Sequence, residues 1–183
     1  SELEKVLEEL KKLLEELERE SDTSVKELRT LLERLEEESK ESNERSKRLA
    51  EELERRLKDE KDEDTVDKIV RDVLTKLDKL NKDNEKRARE VLKRMDEIIK
   101  RNHKRARDVI KRLREIIDDV RRRNPEAREF LETMERIIEE LEKRLREVNE
   151  DLKRIVRTVA ERLKKSNRDN RELIRTLKDR VRT

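Results

Sequence analysis

Leucine, isoleucine and valine recur along the chain at every third or fourth position, the spacing that places side chains on one face of an α-helix. In the first third of the chain this apolar stripe follows positions 3, 7, 10, 14, 17, 21, 24, 28, 31, 35, 39, 42, 46, 49, 53 and 57. Its mean spacing of about 3.6 residues matches a straight α-helix, whereas about 3.5 would produce a left-handed supercoil. The pattern therefore predicts long, nearly straight helices that bury one face.

Two short segments interrupt the stripe and contain residues that begin helices. In KDEDTVDK, either Asp64 or Thr65 can act as the N-cap of the next helix. In RRRNPEAREF, Asn124 is the expected N-cap and Pro125 the first helical residue, where its missing N–H removes no hydrogen bond. The expected helices span about 2–61, 66–123 and 125–182.

Short connections between helices of similar length force consecutive helices to run antiparallel. The expected fold is all-α: a long up-down-up antiparallel three-helix bundle, nearly straight and coiled-coil-like, that forms one domain over residues 1–183. A further boundary near residues 20–24 is possible, because Ser24 and Glu27 have the spacing of a capping box. The stripe passes through Ser21 and Ser24 without a change of phase, which favours a continuous helix there.

Composition favours helices over disorder and removes several kinds of chemistry. The chain is 56% charged and 30% hydrophobic, and it contains no Gly and no Cys. High charge with few aromatic residues is typical of disordered chains, but helical periodicity in Glu, Lys, Arg and Leu indicates long helices instead. Without Cys the chain has no disulfide, no thiolate nucleophile and no Cys-bound zinc. Without Gly it has no glycine-rich phosphate loop.

Charge is distributed unevenly along the chain. Residues 1–61 carry 15 Lys/Arg and 21 Asp/Glu, residues 62–124 carry 21 and 15, and residues 125–183 carry 17 and 14. An acidic helix followed by a basic one favours specific helix neighbours, as the flanking charges of coiled coils do. The alternative is a surface for nucleic acid or anionic lipid along RNHKRARDVIKRLREIIDDVRRRN. Interspersed acidic residues and the lack of aromatic residues favour the first interpretation, so we expect no nucleic-acid or membrane partner.

The sequence shows neither a signal peptide nor an apolar run near the ~18 residues that a membrane-spanning helix needs. We expect a soluble protein without a targeting signal, of the kind expressed recombinantly in the cytoplasm. The residues indicate no particular cellular location.

Serine and asparagine replace apolar residues at two places in the stripe. In EEESKESNERSKRLA, Ser39, Ser42 and Ser46 occupy inward positions in the middle of the first expected helix. Antiparallel pairing places Ser42 opposite Asn84, and Asn84 opposite Asn167. The polar residues therefore fall into two buried layers: a first layer of Ser21, Ser24, Asn102, His103 and Asn149, and a second layer of Ser39, Ser42, Ser46, Asn81, Asn84, Ser166, Asn167 and Asn170.

Corresponding members of the two layers are 18 residues apart, as Ser24 and Ser42 are, and five helical turns of about 3.6 residues give this spacing. A buried amide or hydroxyl without a partner costs about 1–3 kcal/mol, so side chains from three helices satisfy one another only in the correct register. We interpret the layers as hydrogen-bond networks that specify register and partner while reducing apolar burial. The alternative is that these residues are solvated or lie at frayed positions.

Together these features resemble computationally designed helical bundles with buried Ser/Asn hydrogen-bond networks. The resemblance covers the whole chain and rests on Gly-free helices of Glu, Lys, Arg and Leu, on Asp-Glu-Asp and Asn-Pro-Glu loops, on equal helix lengths and on the polar layers. It implies a hyperstable de novo protein that serves as a scaffold or assembly module and has no natural substrate. The helices are longer than in most such bundles, which leaves the oligomeric state open.

We recognise no constellation of residues for catalysis, a metal or a cofactor. His103 has no His or Cys companion for a metal site, and no nucleophile for which it could act as a general base. A place in the polar layer or on the surface is therefore expected for it. Met95, Phe130 and Met134 lie in the apolar stripe and are expected in the core. We expect neither enzymatic activity nor a bound cofactor.

Two functions are compatible with these expectations. The first is a self-contained monomeric scaffold that needs no partner. The second is an interaction module that forms a homo-oligomer or accepts a further helix from a partner. Doubled apolar positions such as Leu13–Leu14 and Leu31–Leu32 widen the stripe and favour the second function, although closing a three-helix bundle also requires a wide stripe.

Overall fold

The computed structural model describes residues 2–182, with side chains described for residues 2–179. The chain forms three helices, α1 (Glu2–Leu57), α2 (Glu63–Arg123) and α3 (Arg128–Arg182). The described residues contain no strand, and α1 and α3 both pack against α2. These helices confirm the predicted all-α three-helix bundle. Since α1 continues through residues 20–24, the expectation of an unbroken first helix is also confirmed.

The end of α1 differs from the expected position near residue 61. Asp59 adopts a left-handed conformation with φ of 66°, and the Glu60 N–H donates to the carbonyl of Leu57 at 3.1 Å. A left-handed residue cannot continue an α-helix, and Asp is one of the few residues besides Gly that accept this conformation. The helix therefore ends at Leu57.

The start of α2 also differs, because Asp62 takes the capping position that was expected at Asp64 or Thr65. The carboxylate of Asp62 accepts a hydrogen bond from the Thr65 hydroxyl at 2.6 Å, and its carbonyl accepts the Val66 N–H at 2.9 Å. The expected cap was wrong because several adjacent residues in this loop are good caps. Sequence alone does not rank them.

The second loop corrects the expected N-cap of α3. The Ala127 N–H donates to the Asn124 carbonyl at 3.1 Å and closes a four-residue turn with Pro125 at its second position. The Leu131 N–H then donates to the Ala127 carbonyl at 3.1 Å, so α3 begins after Ala127. Asn124 is therefore not the cap of α3, because the fixed φ of Pro125 suits a β-turn as well as a first helical turn.

Contacts between the helices divide the chain into two compact units. Unit 1 contains the residues up to Arg29 together with Met95–Val156, and unit 2 contains Thr30–Arg94 together with the residues from Arg157 onward. Each unit includes a segment of all three helices. The prediction that residues 1–183 form one domain stays a prediction.

The core of unit 1 is built mainly from α2. Two leucines of α1 and three apolar residues of α3 pack against it, and the cluster comprises Leu10, Leu17, Ala106, Val109, Ile110, Leu113, Ile116, Ile117, Val120, Leu131, Met134 and Ile138. Leu113 is 1% exposed and Leu10 is 1% exposed, so the apolar stripes of α1 and α2 are inward-facing as the spacing predicts. Met134 lies in the core and Phe130 packs partly buried against it.

The core of unit 2 is smaller. Its buried members are Val70, Val73, Leu74, Leu77 and Ile174, and Leu49, Leu53, Leu57, Val66 and Leu177 pack against them partly buried. The leucines that α1 contributes to this cluster are half-buried and lie at the C-terminal end of its apolar stripe. The polar second layer follows this cluster along α2, beginning at Asn81.

Ion pairs in unit 1 join the acidic α1 to the basic α2. Arg101 pairs with Glu27 at 2.9 Å, Arg105 with Glu20 at 3.4 Å, and Arg112 with Glu9 at 3.0 Å. The partner number on α1 falls as the number on α2 rises, so the two helices are antiparallel. Solvent-exposed pairs contribute only about 0–1 kcal/mol each, and their main effect is on the choice of neighbour.

Further inter-helix pairs also involve α2, although the basic member is not always on α2. In unit 1, α2 meets α3 through Arg114 with Glu142 and through Arg121 with Glu135. In unit 2, the guanidinium of Arg56 on α1 lies 2.7 Å from the carboxylate of Asp72 on α2, and Lys76 lies 3.3 Å from Glu52. All of these pairs have one member on α2. The helix that packs against both neighbours therefore also forms the ion pairs with both.

The Arg56–Asp72 pair generates a pH-dependent prediction. The hydrogen bond from Arg56, aided by the charge of Lys76, lowers the pKa of the Asp72 carboxyl below its ordinary value of 3.8. Because the folded-state pKa lies below the unfolded one, the pair stabilises the fold above about pH 3.8, and this contribution is lost as pH falls through the folded-state pKa. We expect NMR titration of Asp72 to give a midpoint below 3.8.

Arg56→Gln should raise that midpoint, because it removes the hydrogen-bonding guanidinium. Arg55→Gln removes the same charge from the next position, which is exposed, and should change the midpoint much less. An equal rise in both variants would show that Asp72 senses the general charge of α1 and not a specific pair.

Candidate functional site

The two expected polar layers lie in different compact units of the chain. All members of the first layer lie in unit 1, and all members of the second layer lie in unit 2. Ser24, Ser42, Asn81 and Asn102 are buried, and they are the only buried polar residues of the described chain. Each compact unit therefore contains its own interruption of the apolar core.

A direct hydrogen bond joins α1 and α2 in the second layer. The Nδ2 amide of Asn84 donates to the hydroxyl Oγ of Ser42. Ser42 is buried and Asn84 is half-buried, at inward positions of α1 and α2 that other serines and asparagines flank. The antiparallel register inferred from the sequence places these two residues opposite each other, and the hydrogen bond confirms that pairing.

The second layer reaches α3 through charged residues that sequence reasoning missed. The Nδ2 amide of Asn81 donates to Oε1 of Glu85 at 3.4 Å, and the guanidinium Nη2 of Arg171 lies 2.6 Å from the same carboxylate oxygen in an ion pair. The Glu85 side chain is only 13% exposed. The sequence does indicate that Glu85 can reach Asn81, because it lies one helical turn after it. A glutamate beside the stripe is, however, usually a solvated surface residue.

The remaining members of the second layer line two small cavities. One cavity has a volume of about 40 Å³ and is lined by residues of all three helices, among them Ser39, Ser42, Asn84, Ser166, Asn167 and Asn170. The other, of about 10 Å³, includes Ser46, Asn81, Asn84 and Asn170. A polar cavity needs roughly 10–15 Å³ to hold one water molecule, so the first has room for ordered water between the amides.

The structure brings Asn84 and Asn167 to the same cavity, as expected, but the described residues contain no hydrogen bond between them. Asn167 and Asn170 are half-buried, whereas Ser166 is exposed and lies at the edge of the layer. Asn167 is therefore on the inward side of α3, and the adjacent Ser166 is directed towards solvent. A network that includes every expected member stays a prediction.

The first layer has the burial that was expected and fewer partners. Ser24 and Asn102 are buried, and Ser21, His103 and Asn149 are half-buried. The Oδ1 oxygen of Asn102 is buried and has no hydrogen-bond partner among the described residues, and the same holds for Oδ1 of Asn81 in the second layer. A buried acceptor left unpaired costs about 1–3 kcal/mol. The expected mutual pairing of Ser24, Asn102 and Asn149 stays a prediction.

The side chains of both layers suit hydrogen bonding and not proton transfer. Serine and asparagine donate and accept hydrogen bonds without ionising in the ordinary pH range. The one histidine, His103, is half-buried on α2. In the part of the chain that the structure describes, no group of three or more His, Cys, Asp or Glu side chains is arranged to hold a metal ion.

Comparisons with known proteins give no relative from which a function could be transferred. No protein family matches the chain, and neither the curated proteins nor the solved structures contain a significant match. Within residues 2–182, no helix has an apolar stretch sufficient to cross a membrane.

The contact between Asn84 and Ser42 can be tested by a double-mutant cycle. Asn84→Ala and Ser42→Ala should each lower the free energy of unfolding by about 1–3 kcal/mol, because each leaves its partner buried without a hydrogen bond. The double variant should lose less than the sum, with a coupling of about 0.5–1.5 kcal/mol, measured by denaturant unfolding followed by circular dichroism.

The matched control combines Asn84→Ala with Ser24→Ala, which replaces two polar residues from different layers. Their effects should add to within about 0.5 kcal/mol, since the residues share no partner. Additivity of the Asn84 and Ser42 substitutions as well would mean that the hydrogen bond contributes nothing to stability in solution.

Proposed function

We propose that the chain is a de novo designed structural scaffold with no natural biochemical activity, in which the polar layers specify how the helices pair. The observation that carries this proposal is the hydrogen bond between Asn84 and Ser42. It lies on the inward faces of α1 and α2, where an apolar pair would bury more apolar surface. Its presence there is best explained by a requirement for specificity.

The apolar stripes alone do not select one register between α1 and α2. A slip by a heptad of seven residues would place Leu49 opposite Val70 and Leu28 opposite Val91, so apolar residues would still meet apolar residues. The same slip would place Asn84 opposite Leu35 and leave its amide unsatisfied. The polar pair penalises this alternative by about 1–3 kcal/mol for each buried group left without a partner, and the buried Ser24 and Asn102 of the first layer add to the penalty.

Regularity of the sequence supports a designed origin. The three helices have 56, 61 and 55 residues and contain no Gly. Equal helix lengths, short loops and strong helix formers at surface positions are devices that make a sequence favour one fold at every level. A scaffold of this kind would be a monomer of 22.4 kDa, and a thermal transition above about 90 °C is expected of it, the range called hyperstable.

The proposal predicts opposite effects for single and paired replacement of the amides. Asn84→Leu alone should lower the free energy of unfolding by about 1–3 kcal/mol, because Ser42 loses its donor. Asn84→Leu together with Asn167→Leu and Ser42→Ala should restore or raise stability, because no hydroxyl is left without its donor and two leucines fill the shared cavity with apolar contacts. Unfolding in guanidinium chloride at several temperatures measures both.

Asn43→Leu is the control, since Asn43 borders the same cavity but is exposed; it should change stability by less than about 0.5 kcal/mol. Equal stability of all variants would mean that the second layer faces water and specifies nothing. Light scattering adds an independent check: a mass near 22.4 kDa agrees with a monomeric scaffold, and a multiple of it would favour an assembly module.

A further inference from the structure

Unit 1 exposes an apolar face that its own helices do not cover. Leu7 and Val25 on α1 are 47% and 36% exposed. On α3, Ile137, Val148 and Ile155 are 38%, 43% and 46% exposed. We call these five residues the α1–α3 face. Large apolar side chains that cluster on one surface mark interaction sites more often than singly scattered ones do.

The position of this face follows from the ion pairs. On α1, the glutamates that pair with α2, such as Glu9 and Glu27, precede the buried Leu10 and Leu28 and lie on one side of the stripe. Leu7 and Val25 each precede one of those leucines by three residues, which places them on the other side. The same holds on α3, where Glu142 pairs with α2. The exposed residues of α1 and α3 therefore lie on the sides of these helices that point away from α2.

The size of the face argues for one helix as its occupant. Five apolar side chains that are each less than half exposed give a patch of roughly 300–600 Å², the range of functional patches on single proteins. A second copy docked on the same face would bring the acidic borders of both copies together, and like charges across an interface disfavour that pairing. A single amphipathic helix that lays its apolar side into a groove matches this size and the helical spacing of the exposed residues.

Charge selects the kind of helix. In unit 1 the α1 segment has 6 basic and 10 acidic residues, the α3 segment has 7 and 9, and the α2 segment between them has 11 and 6. The basic α2 pairs with acidic residues on both neighbours. A helix on the opposite side would again lie between the two acidic helices, so the charge that favours α2 favours a basic occupant.

Unpaired carboxylates border the α1–α3 face. The same sides of α1 and α3 also carry the basic residues Lys11, Arg29 and Arg144, but acidic residues are more numerous there. Glu18 and Asp22 on α1 lie within two turns of Val25, and Glu140 and Glu147 on α3 lie beside Ile137 and Val148. All four are exposed, and within the described residues none of them has an ion-pair partner. Opposite charge across an interface accelerates association and excludes wrong partners.

We propose that the α1–α3 face of unit 1 binds a single basic amphipathic helix of another protein, with its apolar residues against Leu7, Val25 and Val148 and its lysines and arginines against the bordering carboxylates. This inference is independent of the scaffold proposal, because it concerns a face that the polar layers do not form. The helix would pack parallel or antiparallel to α1 and complete a four-helix arrangement in unit 1.

The test uses two synthetic helical peptides of about 24 residues, long enough to form stable helices on binding. Both carry leucines at helical spacing; one has lysine and arginine at the flanking positions and the other has glutamate. Fluorescence anisotropy with the full chain should show binding of the basic peptide and binding weaker by at least about tenfold for the acidic one. No binding of the basic peptide, or equal binding of both, would overturn the proposal.

Variants of the chain locate the site. Val148→Arg places a positive charge in the α1–α3 face at an exposed position, and should weaken binding of the basic peptide by about tenfold or more. Leu173→Arg makes the same kind of change at a leucine that is 49% exposed in unit 2, and should leave binding unchanged. Equal loss in both variants, or no loss in either, would contradict the location.

A charge reversal keeps the test informative if Val148→Arg alters folding. Glu18→Lys combined with Glu147→Lys changes only exposed residues and balances the four bordering charges, so it should abolish most of the preference for the basic peptide. An unchanged preference would contradict the role of the carboxylates. Light scattering of the chain alone completes the set: a dimer that Val148→Arg disrupts would show that a second copy covers the face, contrary to the proposal.

Discussion

We propose that the pairing of α1 and α2 in unit 2 depends on the hydrogen bond between Asn84 and Ser42. Leucine, isoleucine and valine supply most of the burial, but they tolerate displacement along the helix because the stripe repeats. An amide and a hydroxyl do not tolerate it, since each loses a partner when the other moves. Burial therefore drives association of the helices, and the polar pair selects one arrangement among those that burial permits.

The sequence was sufficient to predict the three helices and the contact between Asn84 and Ser42, because both depend on the periodicity of apolar and polar residues. A spacing of about 3.6 residues fixes which residues face inward, and two short loops then fix which inward residues meet. The loop details were not predictable in the same way. Asp59 reaches a left-handed conformation and Asp62 caps α2, yet the loop contains several residues with the same capping ability, and small differences in free energy decide among them.

The polar layers were only partly predictable, for a different reason. Periodicity shows that Asn81 faces inward, but it does not show which oxygen or nitrogen its side chain meets. Asn81 donates to Glu85 of its own helix, and Arg171 of α3 pairs with that carboxylate. A charged residue beside the stripe thus joins the layer because a partner from another helix compensates its partial burial. Such a compensation depends on side-chain directions that spacing does not contain.

The claim that the polar pair sets register can be measured directly by cross-linking, because the chain has no cysteine of its own. Cysteines replacing Glu52 and Lys76 mark the observed register, in which the two side chains lie 3.3 Å apart. Cysteines replacing Arg45 and Lys76 mark the register slipped by a heptad of seven residues.

A short bifunctional thiol reagent should link the first pair and not the second in the native background. With Ser42 and Asn84 both replaced by leucine, the second pair should become linked to a measurable extent as well, because the slipped register then leaves fewer buried polar groups unsatisfied. A leucine background that still links only the first pair would show that register is set by the loops or the ion pairs, and would contradict the account.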